Sequence, residues 1–390
     1  MSTKTQAVEL EKVVIKFAGD SGDGMQLTGT QFTDTSALLG NDLATFPDFP
    51  AEIRAPQGTV PGVSGFQVHI GNTEINTPGD IADVLVAMNP AALKTNKNSI
   101  KKGGTIIVNI DSFEKRDLEK AGYETSPLED SSFEGFNIIE SPITSLTRES
   151  LKDSGLDSKG IGRCKNMFAL GIVYWLFNRP MESTESFLKK KFKSKPEIIT
   201  ANTKVLHDGY NYAETIQAFS SSYTVLPAKV PAGTYRNIMG NQATAWGFMA
   251  AAEKANIQLF LGSYPITPAS DILHELSKHK NLGIKTFQAE DEISAICSAM
   301  GASFAGALGI TTTSGPGLAL KGEALGLAVV TEIPLVVVNV QRGGPSTGLP
   351  TKTEQSDLMQ ALYGRNGESP VIIVAASTPA NCFDWAFEAS

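Results

Sequence analysis

Cysteine is scarce in this sequence. The 390 residues contain only three cysteines, far apart in the chain and without a CxxC pair. Thiolates alone therefore cannot build a ferredoxin-type iron–sulfur cluster or a structural zinc site here. The four histidines show no metal-ligand spacing either, so we expect no metal site on this chain. The absence of a disulfide framework is typical of a protein in the reducing cytoplasm.

Long apolar runs and excess positive charge are also missing. No apolar stretch reaches the roughly 18 residues that a membrane-spanning helix needs, and the polar N-terminus is unlike a signal peptide. The net charge is 33 − 41 = −8, with a pI near 5.2, which excludes a protein that wraps nucleic acid or binds an anionic membrane. Charged residues are 19% of the chain, below the usual value of about 25%, which indicates that much of the surface is covered by something else.

Strands alternate with helices along the chain, which predicts an α/β fold of two domains with mostly parallel sheets. In residues 1–219 a buried strand at 12–18 is followed by a glycine-rich loop and a helix to about residue 40. The proline-rich composition of segment 41–64 predicts a long loop, and the helical periodicity of 163–219 predicts helices there. Further strands are predicted at 65–70, 83–88, 104–109 and 136–140.

Segment 220–236 is polar and without apolar period, so we predict an interdomain linker there. Residues 237–390 form the second domain, which ends at Ser390 inside a helix that starts near Pro379. Its predicted helices are 241–255, 269–280, 291–307 and 317–330, and its predicted strands are 257–262, 284–288, 308–313, 334–340 and 370–376.

Two glycine-rich loops resemble phosphate-binding motifs without matching them. Gly19, Gly22 and Gly24 have the spacing GxxGxG, and Asp20 and Asp23 would oppose a pyrophosphate at the helix N-terminus. A tight strand-to-helix turn is the favoured interpretation. Gly22, Asp23 and Gly24 could also begin the GDG…N motif that holds Mg²⁺ and thiamine diphosphate. That motif needs an asparagine further along the chain, and residues 42–71 contain none. In GGPSTG at 343–348, a leucine follows where the P-loop lysine should stand.

Three patches in residues 262–357 carry the chemistry. Ten of the 50 residues at 301–350 are glycine, which indicates close approach of backbone to another chain or a cofactor. The first patch is the rigid turn YPITP after a strand. The second, EDE, opens a helix; N-terminal capping explains one or two of its acids, but Glu292 lies on a face of small and apolar residues and needs a partner. In the third, Arg342 follows a strand and can bind a carboxylate, with a structural ion pair as the alternative.

These patches resemble one family. The segments YPITPAS (264–270), FQAEDEISAI (287–296), TTTSGPG (311–317) and QRGGPSTGLPTKTEQSDL (341–358) resemble the pyrimidine-binding domain, of the thiamine diphosphate fold, in the α subunit of 2-oxoacid:ferredoxin oxidoreductases. FAGDSGDGMQLTG (17–29), PAEIRAPQGTVPGVSG (50–65) and NMFALGIVYWLFNRP (166–180) resemble a γ subunit fused ahead of α. Within the family, the sequence is most similar to the 2-oxoglutarate type.

The resemblance implies roles for individual residues. Glu292 matches the acid that hydrogen-bonds N1′ of the aminopyrimidine, and Pro265, Ile266 and Gly315 belong to the cofactor-binding motifs. Thr267 matches the threonine that hydrogen-bonds the substrate, and Arg342 matches the arginine that binds its carboxylate. For the second carboxylate of 2-oxoglutarate, the candidates are Lys352 as the cation and Ser346 and Thr347 as neutral donors.

The implied reaction is oxidative decarboxylation of 2-oxoglutarate to succinyl-CoA, with coenzyme A as co-substrate and electrons passed to ferredoxin. Thiamine diphosphate would be shared with a β subunit that carries the diphosphate and Mg²⁺ site and a 4Fe-4S cluster, in a dimer of heterodimers. Family members have more chain after this domain, so we expect the natural protein to continue beyond Ser390. A pyruvate or broad 2-oxoacid specificity, the reductive direction, and a non-catalytic binding or regulatory module remain alternatives.

Overall fold

The computed structural model describes residues 7–51, 55–216 and 221–390, and the chain divides into two compact units, Met1–Tyr235 and Arg236–Ser390. No helix among these described residues is long and apolar enough to cross a membrane. Both units are α/β, as the alternation of elements predicted. Part of the predicted linker is a strand, because residues 223–225 pair in parallel with residues 8–10 of the same unit.

Unit 1 is built on a six-stranded mixed sheet of order β3-β4-β2-β5-β6-β7. Strands β2, β5, β6 and β7 are parallel, whereas β4 runs antiparallel to both β2 and β3. The strands of the unit are β1 (Val8–Leu10), β2 (Lys12–Asp20), β3 (Asp42–Asp48), β4 (Val63–Gly71), β5 (Ala82–Ala87), β6 (Ile100–Asn109), β7 (Asn137–Ser141) and β8 (Tyr223–Val225).

The helices of unit 1 cover this sheet and one another. Helix α6 lies at the buried centre of the unit. Its sequence is apolar on nearly every side, and all of its residues after Lys165 are buried. The helices are α1 (Met25–Leu38), α2 (Pro90–Asn96), α3 (Lys115–Lys120), α4 (Ile143–Ser150), α5 (Ser158–Gly162), α6 (Lys165–Leu176), α7 (Glu182–Lys191) and α8 (Pro196–Ile216).

Strand β3 corrects the loop predicted for residues 41–64. It lies at the edge of the sheet and contains Pro47. A proline cannot donate to a ladder, but at an edge its missing N–H costs nothing on the solvent side. The proline-rich composition that suggested a loop therefore indicates an edge strand instead.

Unit 2 contains a four-stranded, fully parallel sheet of order β10-β9-β11-β12. The strands are β9 (Leu259–Ser263), β10 (Lys285–Gln288), β11 (Leu308–Thr313) and β12 (Val336–Asn339), and the helices are α9 (Gly240–Ala255), α10 (Ser270–Ser277), α11 (Glu292–Phe304), α12 (Pro316–Leu320), α13 (Gly322–Val330), α14 (Leu358–Tyr363) and α15 (Pro379–Glu388).

Residues 370–376 are not a strand, contrary to the sequence prediction. Among the described residues the segment makes no ladder with β12, and Ile372 is 96% exposed. A continuous apolar run identifies a buried central strand only when a neighbouring strand and a covering layer are present. Neither is present for this run within the described part of unit 2.

Two glycines set the position of helix α11 on this sheet. A Cβ atom at Gly262 of β9 would collide with the carbonyl of Ala295, and one at Gly309 of β11 would collide with that of Ala299. Helix α11 therefore lies directly on the strands at a distance that side chains would forbid. This close packing fixes the helix that begins at Glu292.

A buried carboxylate joins α9 to α10. Glu275 is 7% exposed, and its oxygens accept from Trp246 Nε1 at 2.9 Å, Lys278 Nζ at 2.7 Å and His279 Nε2 at 3.4 Å. The bond from Lys278, ahead of those from Trp246 and His279, lowers the pKa of Glu275 to about 2. The ionised form is therefore strongly favoured in the folded state.

We expect Glu275→Gln to lower the free energy of unfolding by about 2 kcal/mol at pH 7. A carboxyl whose pKa falls from 4.5 to about 2 on folding contributes stability that is complete above the unfolded pKa and is lost as pH falls toward 2. Urea unfolding at pH 7 and pH 3 should show a smaller wild-type–variant difference at pH 3. The exposed Glu253→Gln is the control, and an equal difference at both pH values would contradict the assignment.

Candidate functional site

The four strands of unit 2 end at one edge of the sheet, and every patch singled out in the sequence follows a strand end there. Residues 264–268 follow β9, residues 289–292 follow β10, residues 314–317 follow β11 and residues 340–344 follow β12. In a parallel sheet these carboxyl ends meet, and the crevice beyond them is where α/β proteins bind ligands. The structure thus brings the predicted patches to a common edge.

Glu292 is the first residue of α11. The capping interpretation holds for its neighbour, because the Asp291 side chain accepts from the Ser294 amide at 2.8 Å. Glu292 itself is half-buried, and its side chain interacts with the hydroxyl of Tyr264. The rest of its helix face is buried as expected from the sequence, at Ile296, Ala299 and Ser303.

Tyr264 connects Glu292 to strand β11. Its hydroxyl lies 2.9 Å from Thr313 Oγ1, and burial, followed by the Glu292 carboxylate, raises the pKa of Tyr264 well above its ordinary value. The phenol therefore stays protonated and is available as a donor to the carboxylate. The turn that follows is held by the Ile266 amide, which donates to Ser270 Oγ at 2.9 Å.

Arg342 connects two of the patches. Its guanidinium is 6% exposed, and it donates to the carbonyls of Thr267 and Thr347, both at 2.8 Å. Within the described residues it forms no ion pair with a carboxylate, and its buried Nε has no hydrogen-bond partner. The structural ion pair that was the alternative for Arg342 is therefore not present, and the charge is available to a ligand.

Asp357 anchors the loop that carries Arg342. This carboxylate is 5% exposed and accepts from Asn339 Nδ2 at 2.6 Å and Gln341 Nε2 at 2.5 Å. Ser356 Oγ donates to the carbonyl of Arg342 at 3.1 Å. The end of the QRGGPSTGLPTKTEQSDL segment is thus tied back to its beginning, which orients the arginine.

The other predicted residues are spread around this core. Ile266 is buried, whereas Pro265 and Thr267 are exposed. Gly315 is the N-cap residue of α12 with φ of +44°, and a Cβ there would lie 3.2 Å from Arg342 Cγ. The candidates for a second carboxylate lie on the loop beyond Arg342: Ser346 and Thr347 are exposed, and Lys352 is half-buried.

A fully buried lysine completes the site, and sequence reasoning missed it. Lys321 lies between α12 and α13, where one continuous helix was predicted, and is 0% exposed. Its ammonium donates to the main-chain carbonyl of Glu292 at 2.8 Å and to Thr311 Oγ1 at 3.1 Å. A single cation within the apolar run GLALKGEALGLAVV is the signal that could have identified it.

Gly317 packs against Thr313, Tyr264 and Glu292 without room for a side chain. We therefore expect Gly317→Ala to destabilise unit 2 by about 1–3 kcal/mol. A Cβ there would collide with Thr313 Oγ1 and the Tyr264 hydroxyl and lie 3.1 Å from Glu292 Cγ. Gly326 of α13 has open space at its Cβ position, so Gly326→Ala should instead be neutral or stabilising by up to about 1 kcal/mol. Denaturant midpoints measure both, and equal effects would contradict the packing argument.

The glycine-rich turn of unit 1 is held by its own acids. Both Asp20 oxygens accept from the Gly58 amide at 3.0 Å. Asp23 accepts from the Asp20 amide at 2.9 Å and pairs with Lys165 at 2.8 Å. Because these carboxylates already have partners inside the protein, the tight-turn interpretation is favoured over a nucleotide site. No cluster of three potential metal ligands occurs in the described residues of either unit.

Two family models match the chain. Residues 14–212 match "Pyruvate ferredoxin/flavodoxin oxidoreductase", and residues 250–390 match "Pyruvate flavodoxin/ferredoxin oxidoreductase, thiamine diP-bdg". The first model covers most of unit 1, and the second covers the sheet and the strand-end motifs of unit 2. The family resemblance and the α/β fold expected from the sequence are confirmed.

Known relatives agree with the family models. The chain is 59% identical over 380 residues to 2-oxoglutarate oxidoreductase subunit KorA of Mycobacterium tuberculosis, covering 97% of this chain and 58% of that protein. It is 46% identical over 153 residues to 2-oxoglutarate synthase subunit KorA of Methanothermobacter thermautotrophicus, covering 39% of each chain.

A solved structure extends the likeness to the three-dimensional fold. The 2-oxoglutarate:ferredoxin oxidoreductase of Magnetococcus marinus, with 2-oxoglutarate, coenzyme A and succinyl-CoA bound, matches with a TM-score of 0.79 and 32% identity over 97% of this chain and 61% of that chain. The present chain thus spans about three fifths of the length of the Mycobacterium tuberculosis and Magnetococcus marinus proteins. It belongs to the 2-oxoacid:ferredoxin oxidoreductase family and carries both the oxidoreductase domain and the thiamine diphosphate-binding domain of that family.

Proposed function

We propose that this chain is the α-type subunit of a 2-oxoglutarate:ferredoxin oxidoreductase, which converts 2-oxoglutarate and coenzyme A to succinyl-CoA and CO₂ and passes two electrons to ferredoxin. The observation that carries the proposal is Arg342, a buried guanidinium without a carboxylate partner in the described residues, at the strand edge that also presents Glu292. The 59% identity to a 2-oxoglutarate oxidoreductase subunit supports the choice of substrate.

The residues at this edge fit the pyrimidine half of thiamine diphosphate. Ser314 is fully buried at the end of β11, and its hydroxyl has no hydrogen-bond partner among the residues that the structure describes. Glu292 supplies an acid at the same edge, and Ile266 and Gly315 lie on the two flanking turns. When bound, the cofactor supplies the carbon nucleophile and the electron sink that decarboxylation of a 2-oxoacid needs.

Each protein group then has a defined task. Glu292 shares a proton with N1′ of the aminopyrimidine, and the Tyr264 hydroxyl orients the carboxylate for that contact. Arg342 binds the carboxylate of the 2-oxoacid, and Thr267, whose carbonyl it holds, adds a hydrogen bond from the side chain. Lys352, with Ser346 and Thr347, binds the second carboxylate of 2-oxoglutarate.

The remaining components belong to other chains. The described residues contain no candidate metal cluster, and the three cysteines are free and separate. We therefore assign the Mg²⁺ and diphosphate site and the 4Fe-4S cluster to a β subunit, in a dimer of heterodimers that transfers electrons to ferredoxin in the cytoplasm. In this assembly thiamine diphosphate is held between the two kinds of chain.

The test is an assay of the assembled enzyme. The full-length chain is produced with its β subunit, and viologen reduction is followed with 2-oxoglutarate or pyruvate, each with and without coenzyme A. We expect reduction that requires both 2-oxoglutarate and coenzyme A. Faster turnover of pyruvate would overturn the substrate assignment, and no coenzyme A-dependent turnover of either 2-oxoacid would overturn the enzymatic function.

A further inference from the structure

The buried ammonium of Lys321 is not explained by stability. It lies beside the first turn of α11, where the helix dipole is positive and opposes another cation. Burying an ammonium without an ion-pair partner costs free energy, and the salt bridges of the described residues do not include Lys321. A charge retained at such a position indicates a role other than holding the fold together.

Two of the contacts of Lys321 lead to Glu292, one directly and one through Tyr264. Its ammonium donates to the Glu292 carbonyl and to Thr311 Oγ1, and it lies 5.1 Å from the centroid of the Tyr264 ring. The side chain of Glu292 is held separately by the Tyr264 hydroxyl. The main chain and the side chain of Glu292 are thus held by different elements of unit 2, and both contacts lie inside the protein.

We propose that Lys321 is a positioning residue that fixes the first turn of α11, and therefore the Glu292 carboxylate, and that it does so as a cation. As far as the task of Glu292 is concerned, this inference rests on the proposed function. Lys321 acts through Glu292 and its main chain.

The surroundings of Lys321 make its charge sensitive to pH. Burial, the largest influence, lowers the pKa of Lys321 to about 8, against the opposing effects of Glu292, Cys297 and Asp291 on α11. Tyr264 packs against the ammonium from the end of β9, and Arg342 in turn faces Tyr264. As pH rises through about 8, Lys321 therefore loses its proton.

Three variants of the full-length chain, produced with its β subunit, test this role. Lys321→Met removes the charge at similar volume, Lys321→Arg keeps it, and Thr311→Val removes one hydrogen bond only. Lys280→Met, at an exposed lysine of the same unit, is the control. The measurements are amide hydrogen exchange of residues 292–296, titration with thiamine diphosphate, and the pH dependence of 2-oxoacid oxidation.

We expect Lys321→Met to speed exchange in the first turn of α11 and to weaken cofactor binding, each by about tenfold. Wild-type activity should fall as pH rises through about 8, and Lys321→Arg should move this fall to higher pH. Lys280→Met should change none of these values. Unchanged exchange in Lys321→Met together with an unshifted profile in Lys321→Arg would overturn the proposal.

The role of Lys321 and the function on which it rests can fail separately, and the test does not depend on one variant. If the wild-type enzyme oxidises no 2-oxoacid, the proposed function fails, but exchange and cofactor titration still decide the role of Lys321. If Lys321→Met does not fold, Thr311→Val and Lys321→Arg carry the test. Normal exchange and cofactor binding in Thr311→Val, with an unshifted pH profile in Lys321→Arg, would then overturn it.

Discussion

Glu292→Gln should lower kcat/KM for the 2-oxoacid by about 10³-fold in the assembled enzyme, the range that a positioned general acid–base group contributes. Glutamine keeps the shape of the side chain and its hydrogen bond to Tyr264, but it cannot exchange a proton with N1′ of the pyrimidine. Because Glu292 is half-buried at a helix start and its partner donates to it, we expect the fold to be retained. Viologen reduction and thermal unfolding of the same samples measure both effects.

Glu290→Gln provides the matched control for this prediction. Glu290 is exposed and lies two residues earlier on the same turn, so removing its charge should change turnover by less than about twofold. Near-normal turnover of Glu292→Gln would remove Glu292 from the catalytic role. Equal losses in the two variants would show that the charge of the turn matters, and not the position of one carboxylate.

Arg342→Lys should raise KM for the 2-oxoacid by about 10- to 100-fold, because a lysine has a single ammonium in place of the planar donor fork. Arginine uses Nη1 and Nη2 to hold the carbonyls of Thr267 and Thr347, and a lysine cannot hold both and also bind a carboxylate. We expect a smaller effect on kcat, since the proton-transferring acid is unchanged. Initial rates over a range of 2-oxoacid concentrations separate the two constants.

Arg365→Lys is the control for the loss of an arginine that binds carbonyls. Arg365 donates to the carbonyls of Ala361, Leu362 and Ser369 in unit 2, so its replacement tests the structural part of the effect alone. An unchanged KM in Arg342→Lys would contradict carboxylate binding by Arg342. A KM raised equally by Arg365→Lys would assign the effect to general loosening of the unit.

Much of the fold followed from periodicity and turn residues. The parallel strands and long helices of both units appear where the apolar pattern predicts them, since strands and helices bury faces with different periods. The errors have a common cause. Pro47 predicts a loop where strand β3 forms, and the apolar residues 370–376 predict a strand where the structure has none. In both cases the outcome depends on neighbouring strands, which a local pattern does not contain.

The candidate site shows the same division. The patches that contain Thr267, Glu292 and Arg342 each follow a predicted strand, and the family resemblance implies the roles of these residues. The structure shows Arg342 bonded to the Thr267 carbonyl. Tyr264, Lys321 and Asp357 were not assigned roles, although each holds another member of the site. Tyr264 and Lys321 have partners in other segments of the chain, which no local spacing reveals, and Asp357 lies 16 residues beyond its partner Gln341, too far for the spacing of a turn or a helix to pair them.

The sequence by itself determined the alternation of strands and helices and the placement of the polar motifs at strand ends. Because parallel strands share the direction of their carboxyl ends, this placement already implies a common edge for the site. Only the tertiary structure decided which charges are buried and what they contact. Lys321 is fully enclosed and Ile372 is almost fully exposed, the reverse of their hydropathy, because burial depends on what the rest of the chain packs against each side chain.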